Sequence, residues 1–324
     1  MANAFVTGGS GFIGGRLIER LRADGHTVRA LARSDRAAAR VAERGAEAVS
    51  GDLGDVAAMK VAAEGCDLAF HAAANINDWG IPADFERDNV EGTRNVLHAC
   101  AEAGVRRFVH VGTEAAVLVG QPLVNADETA PLQPGSPVLY SSSKARAEQL
   151  VLGANRDGFE TVSIRPRWVW GLGDTVLLPR LVERVRANRY YWIGGGRQLM
   201  STTHVDNVVE GLVLGATRGA PGNAYFVTDG DQVTCRDFVS ELISTQGVPP
   251  PTRNMPRRVA VVYAAAGEMA WHWLPLRGRP PLSRFAVWYS SLECTLSDAK
   301  AREQLGYRPI KSRAEGMAEL REAA

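Results

Sequence analysis

The sequence predicts an α/β protein with a doubly wound parallel sheet and a smaller, mainly helical part toward the C-terminus. Through the first two-thirds of the chain, short apolar runs of strand length alternate with longer stretches of helical spacing. A glycine-rich turn, TGGSGFIG, follows the first apolar run directly, and the alternation stops after Trp170. Because right-handed crossovers place helices on both faces of such a sheet, we expect ligands beyond the carboxyl ends of its strands.

The predicted strands are short runs rich in apolar and β-branched residues, at 4–7, 28–32, 48–50, 68–72, 107–111, 161–165 and 224–228. Helical spacing fills the intervals between them, at 14–24, 56–64, 89–103 and 137–152. Further along lie an amphipathic stretch at 178–187 and a capped helix at 203–216. From Cys235 onward the chain is predicted to be mainly helical, with proline-rich breaks at 248–256 and 275–281.

Composition excludes several functional classes. The 37 basic and 36 acidic residues leave a net charge of +1, which gives no electrostatic footprint for nucleic acid. The four cysteines have no zinc-site spacing, so we expect no metal and a reduced, cytoplasmic chain. No apolar run is long enough to predict a transmembrane segment. Residues 257–276 mix two arginines with apolar residues and two tryptophans, which is typical of a peripheral membrane contact or a substrate lid.

The glycine-rich turn predicts a dinucleotide site. Gly8, Gly11 and Gly14 lie between a predicted strand and a predicted helix. In such a site the first glycine makes the tight turn, the second lets the backbone approach a pyrophosphate, and the third allows close helix packing. The phosphates then rest at the positive end of the helix. Residues 1–170 with about 200–228 are therefore predicted to form a dinucleotide-binding domain, and about 171–199 with 229–324 a discontinuous substrate-binding domain.

Arg33 predicts which dinucleotide is bound. It stands 19 residues after Gly14, where an NAD site places an acidic residue for the ribose hydroxyls. A guanidinium clamps a 2′-phosphate, and Ser34 or Arg36 would assist it. We therefore predict a preference for NADP(H). NAD(H) stays possible, because Asp35 would still reach a ribose.

Tyr140 and Lys144 predict a proton-transfer device. Four residues apart at the start of a helical segment, they face the same side, and a lysine cation favours the phenolate. Only four of the 37 basic residues are lysine, which favours a functional role for this one. Thr113 follows the apolar run at 107–111 after one glycine, at the end of a predicted strand. Its hydroxyl is expected there to donate a hydrogen bond to a substrate carbonyl.

Several runs resemble the extended short-chain dehydrogenase/reductase superfamily, whose core is a Rossmann fold, and within it the 3β-hydroxysteroid dehydrogenase/isomerase-like branch. Bacterial 2-alkyl-3-oxoalkanoate reductases are also similar. The matching runs extend nearly from end to end: TGGSGFIG, GDL at 51–53, HAAA at 71–74, NVEGTRNV at 89–96, YSSSK at 140–144, RP at 165–166, GLGD at 171–174, THVDN at 203–207, DAKAR at 298–302 and LGYRP at 305–309.

The resemblance implies roles for individual residues. Tyr140 would be the catalytic acid or base, Lys144 would bind the nicotinamide ribose and lower the pKa of the tyrosine, and Thr113 would polarise the substrate oxygen. It also implies a homodimer through the helices at 89–103 and 137–152. The implied cofactor-binding residues are Gly8, Ser10, Gly11, Phe12, Ile13, Gly14, Arg33, Asp52, Leu53, Ala72, Ala73, Tyr140, Lys144 and Pro166.

Two positions depart from the family pattern. The family usually has serine where this chain has Thr113, and a small or apolar residue where it has Glu114. The threonine methyl group would crowd the site. Glu114 would be either a further acid–base group or a surface residue, and we expect it to face solvent.

Large apolar residues predict a hydrophobic alcohol or ketone as the substrate. The candidates for the pocket wall are Trp79, Trp168, Trp170, Trp192, Trp271, Trp273 and Phe285. Two alternatives stay open. A nucleotide-sugar epimerase or dehydratase would keep bound NAD, against which Arg33 argues, and Arg180 and Arg184 would be its phosphate partners. A non-catalytic NADP-sensing protein would have little reason to retain Thr113, Tyr140 and Lys144 together.

Overall fold

The computed structural model describes residues 1–274 and 276–324. Its strands are β1 (Asn3–Thr7), β2 (Thr27–Ala32), β3 (Glu47–Ser50), β4 (Leu68–His71), β5 (Arg107–Val111), β6 (Leu123–Ala126), β7 (Glu160–Arg165), β8 (Val169–Trp170), β9 (Trp192–Ile193), β10 (Leu199–Met200), β11 (Thr203–His204), β12 (Asn223–Phe226), β13 (Val233–Thr234), β14 (Asn254–Met255) and β15 (Cys294–Leu296).

The helices alternate with these strands. They are α1 (Phe12–Ala23), α2 (Asp35–Glu43), α3 (Val56–Ala63), α4 (Pro82–Phe85), α5 (Gly92–Glu102), α6 (Leu139–Gly153), α7 (Leu177–Arg186), α8 (Val205–Arg218), α9 (Cys235–Ser244), α10 (Arg257–Trp273), α11 (Arg284–Ser291) and α12 (Arg313–Glu322). A π-helical turn, Glu86–Glu91, leads directly into α5, and a short 3-10 helix, Glu114–Val117, follows β5.

A seven-stranded parallel sheet forms the centre of the molecule, as predicted. Its strand order is β12-β7-β5-β4-β1-β2-β3. From β1 the chain builds outward to β2 and β3, then crosses back to β4 on the other side of β1. The gap beyond the ends of β1 and β4 is therefore the topological switch point, where α/β sheets of this kind bind ligands.

Both faces of the sheet are buried. Along β1, Phe5 packs into an apolar cluster with α3 and α5, whereas its neighbour Val6 packs into a second cluster with α1 and α8. This period of two explains why the strands are continuously apolar, since each successive side chain meets a helix layer on one face or the other.

Toward the C-terminus, helices and short strands build a third apolar cluster. Trp170 and Trp192 pack there with Phe238 of α9 and Met317 of α12. A small four-stranded sheet in the order β13-β10-β15-β6 accompanies them. The mainly helical prediction therefore missed strands of two or three residues, too short to show a periodic pattern, and β6, earlier in the chain, was missed as well. The division into two discontinuous domains stays a prediction.

The sequence analysis also missed α2. This helix begins after Ser34, whose hydroxyl accepts a hydrogen bond from the Ala37 N–H, and only Arg33 and Ser34 separate it from β2. Its apolar face is mostly alanine, and Val41 is its only larger apolar residue, so the face stands out little in the sequence. In the part of the chain that the structure describes, no helix is both long enough and apolar enough to cross a bilayer.

Candidate active site

One cavity of about 1990 Å³ lies beyond the carboxyl ends of the central strands. The residues predicted for catalysis and cofactor binding all line it: Gly8, Ser10, Gly11, Phe12, Ile13, Gly14, Arg33, Asp52, Leu53, Ala72, Ala73, Thr113, Tyr140, Lys144 and Pro166. These residues come from widely separated parts of the sequence, and the parallel sheet brings them together at one edge.

The glycine loop is tightly packed at the switch point. Gly8 has a φ of +73°, and a Cβ there would lie 2.6 Å from the Ala72 carbonyl carbon at the end of β4. A Cβ on Gly14 would run into the Gly8 carbonyl group. Gly11 occupies the N-cap of α1 without a side chain, so the first N–H groups of the helix face the cavity uncapped. This cradle fits a pyrophosphate, and the loop fits the predicted dinucleotide on steric grounds.

Arg44, at the end of α2, was not predicted to matter. Its guanidinium donates hydrogen bonds to the carbonyl oxygens of Gly9 and Gly11, at 3.2 and 3.1 Å. It therefore fixes the loop from behind. No signal in the sequence pointed to it, because α2 itself was missed.

The residues expected around the adenosine end lie on the rim. Arg33 follows β2 and is exposed, as are Ser34 and Arg36. Asp52 follows β3, where its carboxylate accepts a hydrogen bond from the Gly54 N–H at 2.7 Å. The Ser34 hydroxyl accepts the Ala37 N–H in capping α2, which leaves the hydrogen of that hydroxyl available for donation.

Tyr140 and Lys144 lie one turn apart at the start of α6, as their spacing predicts. Lys144 is buried, and its ammonium group donates a hydrogen bond to the Val111 carbonyl at 2.9 Å and lies 3.1 Å from His110 Nε2. Burial lowers the pKa of Lys144 to about 8, and the carboxylate of Glu148 partly opposes this shift. The group is therefore a cation at neutral pH but gives up its proton more readily than an exposed lysine.

The pKa of Tyr140 does not follow the expectation from the resemblance. Burial of the phenol and the negative charge of Glu114 raise the pKa of Tyr140 well above its ordinary value, while a hydrogen bond with Thr113 acts weakly in the opposite direction. Lys144 was expected to lower this pKa; in the structure it faces His110 and Val111 instead. The phenol is thus held in its protonated form.

Glu114 does not face solvent, contrary to the prediction. Only 1% of the residue is exposed, and it lines the cavity directly after Thr113. The Thr113 hydroxyl lies 2.8 Å from Glu114 Oε2, and Arg167 Nε lies 3.4 Å from Glu114 Oε1. The physical reason is the 3-10 helix that begins at Glu114, which turns the side chain inward under Arg167. A buried carboxyl group next to the predicted catalytic hydroxyl was invisible to sequence spacing.

Aromatic side chains cover one wall of the site, next to Tyr140. The Phe285 ring packs edge-on to Tyr140 at 5.6 Å and stacks on Tyr289 at 5.1 Å, and Tyr289 stacks on Trp168 at 5.3 Å. Trp168 and Phe285 were predicted for the pocket wall; Tyr289 was not. Trp170 and Trp192 do not line the cavity and pack with Trp168 in the C-terminal apolar cluster. Trp79, Trp271 and Trp273 do not line the cavity either, and Trp273 is largely exposed.

The geometry and fold define the dinucleotide-binding class of α/β proteins. Residues 5–257 of this chain match the family model described as "3-beta hydroxysteroid dehydrogenase/isomerase family". A "4-hydroxy-2-methyl-3-oxo-4-farnesyl-3,4-dihydroquinoline-1-oxide ketoreductase" of Stigmatella aurantiaca is 45% identical over 319 residues, covering 98% of this chain and 96% of the relative.

Two further comparisons agree. A "2-alkyl-3-oxoalkanoate reductase" of Stenotrophomonas maltophilia is 36% identical, covering 98% of this chain and 97% of the relative. The crystal structure of gox2253 has a TM-score of 0.81 at 28% identity, covering 100% of this chain and 99% of that one. The chain belongs to the 3-beta hydroxysteroid dehydrogenase/isomerase family, a branch of the extended short-chain dehydrogenases/reductases, and is therefore an oxidoreductase.

Proposed function

We propose that this protein uses NADPH to reduce a hydrophobic ketone to a secondary alcohol, with Tyr140 as the proton donor. NAD(H) would serve as a poorer cofactor. The observation that carries the proposal is that Thr113, Tyr140 and Lys144 line the same cavity as the glycine loop, next to an aromatic wall.

The cofactor would lie across the switch point. The glycine loop and the N-terminus of α1 would hold its pyrophosphate, Asp52 and Leu53 would flank the adenine, and Arg33 would bind the 2′-phosphate. Ala72 and Ala73 would lie beside the middle of the cofactor, and Pro166 beside its nicotinamide end. When bound, the reduced nicotinamide supplies the hydride that the carbonyl carbon accepts.

Tyr140 supplies the proton. As negative charge develops on the substrate oxygen, the phenol donates its hydrogen to that oxygen, and the raised pKa ensures that the hydrogen is present at neutral pH. Lys144, a cation at neutral pH, would bind the nicotinamide ribose and stabilise the phenolate that is left. At neutral pH the phenol carries its proton, which is the form that reduction of a ketone requires.

The cavity supports a hydrophobic substrate with one polar end. Trp168, Phe285 and Tyr289 present aromatic surface next to Tyr140. Arg180 and Arg184 of α7 line the same cavity, so a carboxylate at the far end of a substrate would find guanidinium partners there. The names of the two relatives above, a farnesylated quinoline ketone and 2-alkyl-3-oxoalkanoates, describe apolar ketones of this kind.

The test is the loss of reduced-nicotinamide absorbance with a panel of substrates. The panel contains a 2-alkyl-3-oxoalkanoate, a neutral long-chain ketone, and a 3β-hydroxysteroid with its ketone, each with NADP(H) and NAD(H). We expect turnover of a ketone, and a loss of about 10²- to 10⁴-fold in kcat on Tyr140→Phe. Ser142→Ala, on the same helix, is the matched control. Equal rates for Tyr140→Phe and wild type would refute the role of Tyr140.

We also propose that α10 rests on an anionic lipid surface beside the cavity. It exposes Val262, Met269 and Trp273, and Arg258 near its first turn is exposed as well. Tyr263 of the same helix lines the cavity, so an apolar substrate would enter from the lipid. Wild type should sediment with phosphatidylglycerol vesicles and Val262→Ser should do so less, whereas Val61→Ser, at an exposed position on α3, should not change binding.

A homodimer through α5 and α6 is the third part of the proposal. A shallow groove between these helices carries Leu97, Ala101, Leu150 and Ala154 at its floor. Pairing of two such faces would bury these apolar atoms. Light scattering during size-exclusion chromatography should give twice the 34.9 kDa chain mass for wild type, and the monomer mass for Leu150→Asp.

A further inference from the structure

We propose that Glu114 is a positioning residue for the reduction proposed above, and that it controls whether the Thr113 hydroxyl can donate its hydrogen to the substrate oxygen. This inference rests on the proposed function. It concerns a residue whose equivalent position the family pattern fills with a small or apolar side chain, and which the structure places inside the cavity.

The Thr113 hydroxyl has a single hydrogen. Its oxygen lies 2.8 Å from Glu114 Oε2 and accepts a hydrogen bond from the Ala115 N–H at 3.2 Å. If Glu114 is a carboxylate, it is an acceptor only, so Thr113 must donate to it and has no hydrogen left for a substrate. If Glu114 is protonated, it donates to Thr113, and the Thr113 hydrogen is free to point toward the substrate oxygen.

The surroundings of Glu114 leave both forms accessible. Burial raises the pKa of Glu114, and the positive charge of Arg167 opposes that shift. Arg167 also has other partners, since it donates to the carbonyl oxygens of Ser201 and Tyr289 and lies over the Tyr289 ring at 4.9 Å. Among the described residues, Glu114 Oε1 accepts no hydrogen bond, although it is buried.

The groups that face Glu114 come from four other parts of the fold. Tyr140 belongs to α6, Tyr289 to α11, Arg167 to the segment after β7, and Cys294 to β15. The pKa values of Tyr140, Tyr289 and Cys294 are all raised, so these three are neutral when Glu114 ionises. Glu114 is therefore the group of this cluster that changes charge first as the pH rises.

The proposal predicts a specific pH dependence. The kcat/KM for ketone reduction should fall as Glu114 ionises, because Thr113 then turns its hydrogen away from the substrate. Ionisation of Tyr140 would cause a second fall at higher pH, since the pKa of Tyr140 is raised further. The two descending limbs are thus separable.

The test compares Glu114→Gln with wild type over the pH range in which the protein is folded. The glutamine amide donates to Thr113 as the protonated acid does, but it cannot ionise. We expect the lower-pH limb to disappear, so that kcat/KM above that limb rises about tenfold over wild type, with the Kd for NADPH unchanged. In a Thr113→Val background, whose residual rate is measured in the same way, Glu114→Gln should have no effect on the pH profile.

Several results would overturn the proposal. One is a lower-pH limb that stays unchanged in Glu114→Gln. Another is an equal effect of Glu114→Gln with and without the Thr113 hydroxyl, which would make Glu114 a structural residue. If Glu114→Gln does not fold, Thr113→Val alone decides, because persistence of the limb without the hydroxyl excludes the mechanism. Tyr140→Phe keeps the two proposals apart: its activity tests the proposed function, whatever the outcome at Glu114.

Discussion

Lys144 illustrates how strongly position changes the chemistry of a single residue. It is 3% exposed, and its neighbours on β5 offer a carbonyl oxygen and an imidazole nitrogen but no carboxylate at hydrogen-bond distance. A lysine on the surface would keep its pKa near 10.5, whereas burial lowers the pKa of Lys144 to about 8. The burial that lowers the pKa of Lys144 also lowers the free energy of unfolding at neutral pH, because a cation is held away from water.

This cost predicts how stability depends on pH. Between the folded pKa of about 8 and the unfolded value of 10.5, the unfolded chain binds more protons than the folded one. The free energy of unfolding should therefore rise with pH in this window, by about 3 kcal/mol for the full shift, and the gain is lost as the pH falls through 8. Urea unfolding of wild type and Lys144→Met should show a stability difference that changes between pH 8 and 10.

Ser142→Ala, which lies on the same helix and removes no ionisable group, is the control for this measurement. Its stability relative to wild type should stay nearly constant over the same window. A constant difference for Lys144→Met as well would mean that Lys144 is not a cation held at a cost in the folded protein.

Arg33 is the residue on which the cofactor prediction depends. The side chain is exposed at the rim of the cavity, and a charge-assisted contact with a 2′-phosphate contributes about 1.5–3 kcal/mol. Arg33→Ser should therefore weaken NADPH binding about 10- to 100-fold. NADH binding should change little. Titration of intrinsic fluorescence with each cofactor gives both constants.

Arg40→Ser on α2 provides the matched control, because it removes the same charge from an exposed position outside the cavity lining. If Arg33→Ser weakened NADPH and NADH equally, Arg33 would not recognise the 2′-phosphate.

At the scale of elements, the glycine loop is a joint between β1 and α1 that tolerates no side chain at its crowded points. The Gly8 backbone and the end of β4 approach so closely that a methyl group would collide with main-chain atoms. Main-chain atoms cannot swing aside as a flexible side chain can. The loop is therefore fixed before any ligand binds.

Gly14→Ala tests this. The added Cβ would meet the Gly8 carbonyl, and such overpacking costs about 1–3 kcal/mol of unfolding free energy. Cofactor affinity should fall as well, because the loop must move. Gly153→Ala, at the end of α6 where nothing lies within 4 Å of the new methyl group, should be neutral or slightly stabilising. Equal stabilities of the two variants by thermal unfolding would contradict the tight joint.

On the scale of the whole molecule, two polar contacts join Asp78 to the segment at 279–283, and we call these contacts the tie. Asp78 follows β4 and accepts a hydrogen bond from the Ser283 hydroxyl at 2.8 Å, while Arg279 lies 3.5 Å from its other oxygen. Asp78 and Arg279 both line the cavity, so these contacts hold the segment before α11 at the cavity wall. The two ends of this tie are about 200 residues apart in the sequence.

Removing the tie should loosen the covering segment rather than alter the chemistry. Asp78→Ala is expected to raise the KM for the ketone about three- to tenfold, with kcat within twofold of wild type. Hydrogen exchange should become faster around Ser283 and Phe285. Asp84→Ala, which removes an exposed ion pair with Arg87 on the same side of the molecule, is the control. A fall in kcat with unchanged KM would argue against a covering role.

The sequence by itself determined the central sheet, the order of its strands along the chain, and the residues that meet at its carboxyl edge. These features arise from local signals: the period of two in the strands, the glycines of the turn, and a tyrosine and lysine one helical turn apart. A parallel sheet converts such signals into one site, because all of its strands end at the same edge. Knowing where the strands end was therefore enough to group Gly8 and Thr113, whereas Asp52 and Ala72 were assigned through the family resemblance.

Only the tertiary structure decided the electrostatics of that site. Glu114 is buried beside Arg167, which lies 53 residues later in the chain. The pKa of Tyr140 is raised because the phenol is buried and Glu114 is near, and Lys144 faces elsewhere. Likewise, Arg44 and Tyr289 are far in the sequence from the residues that they contact at the site, and no sequence pattern marks them. Burial and charge depend on which distant elements pack together, and spacing along the chain carries no record of that packing.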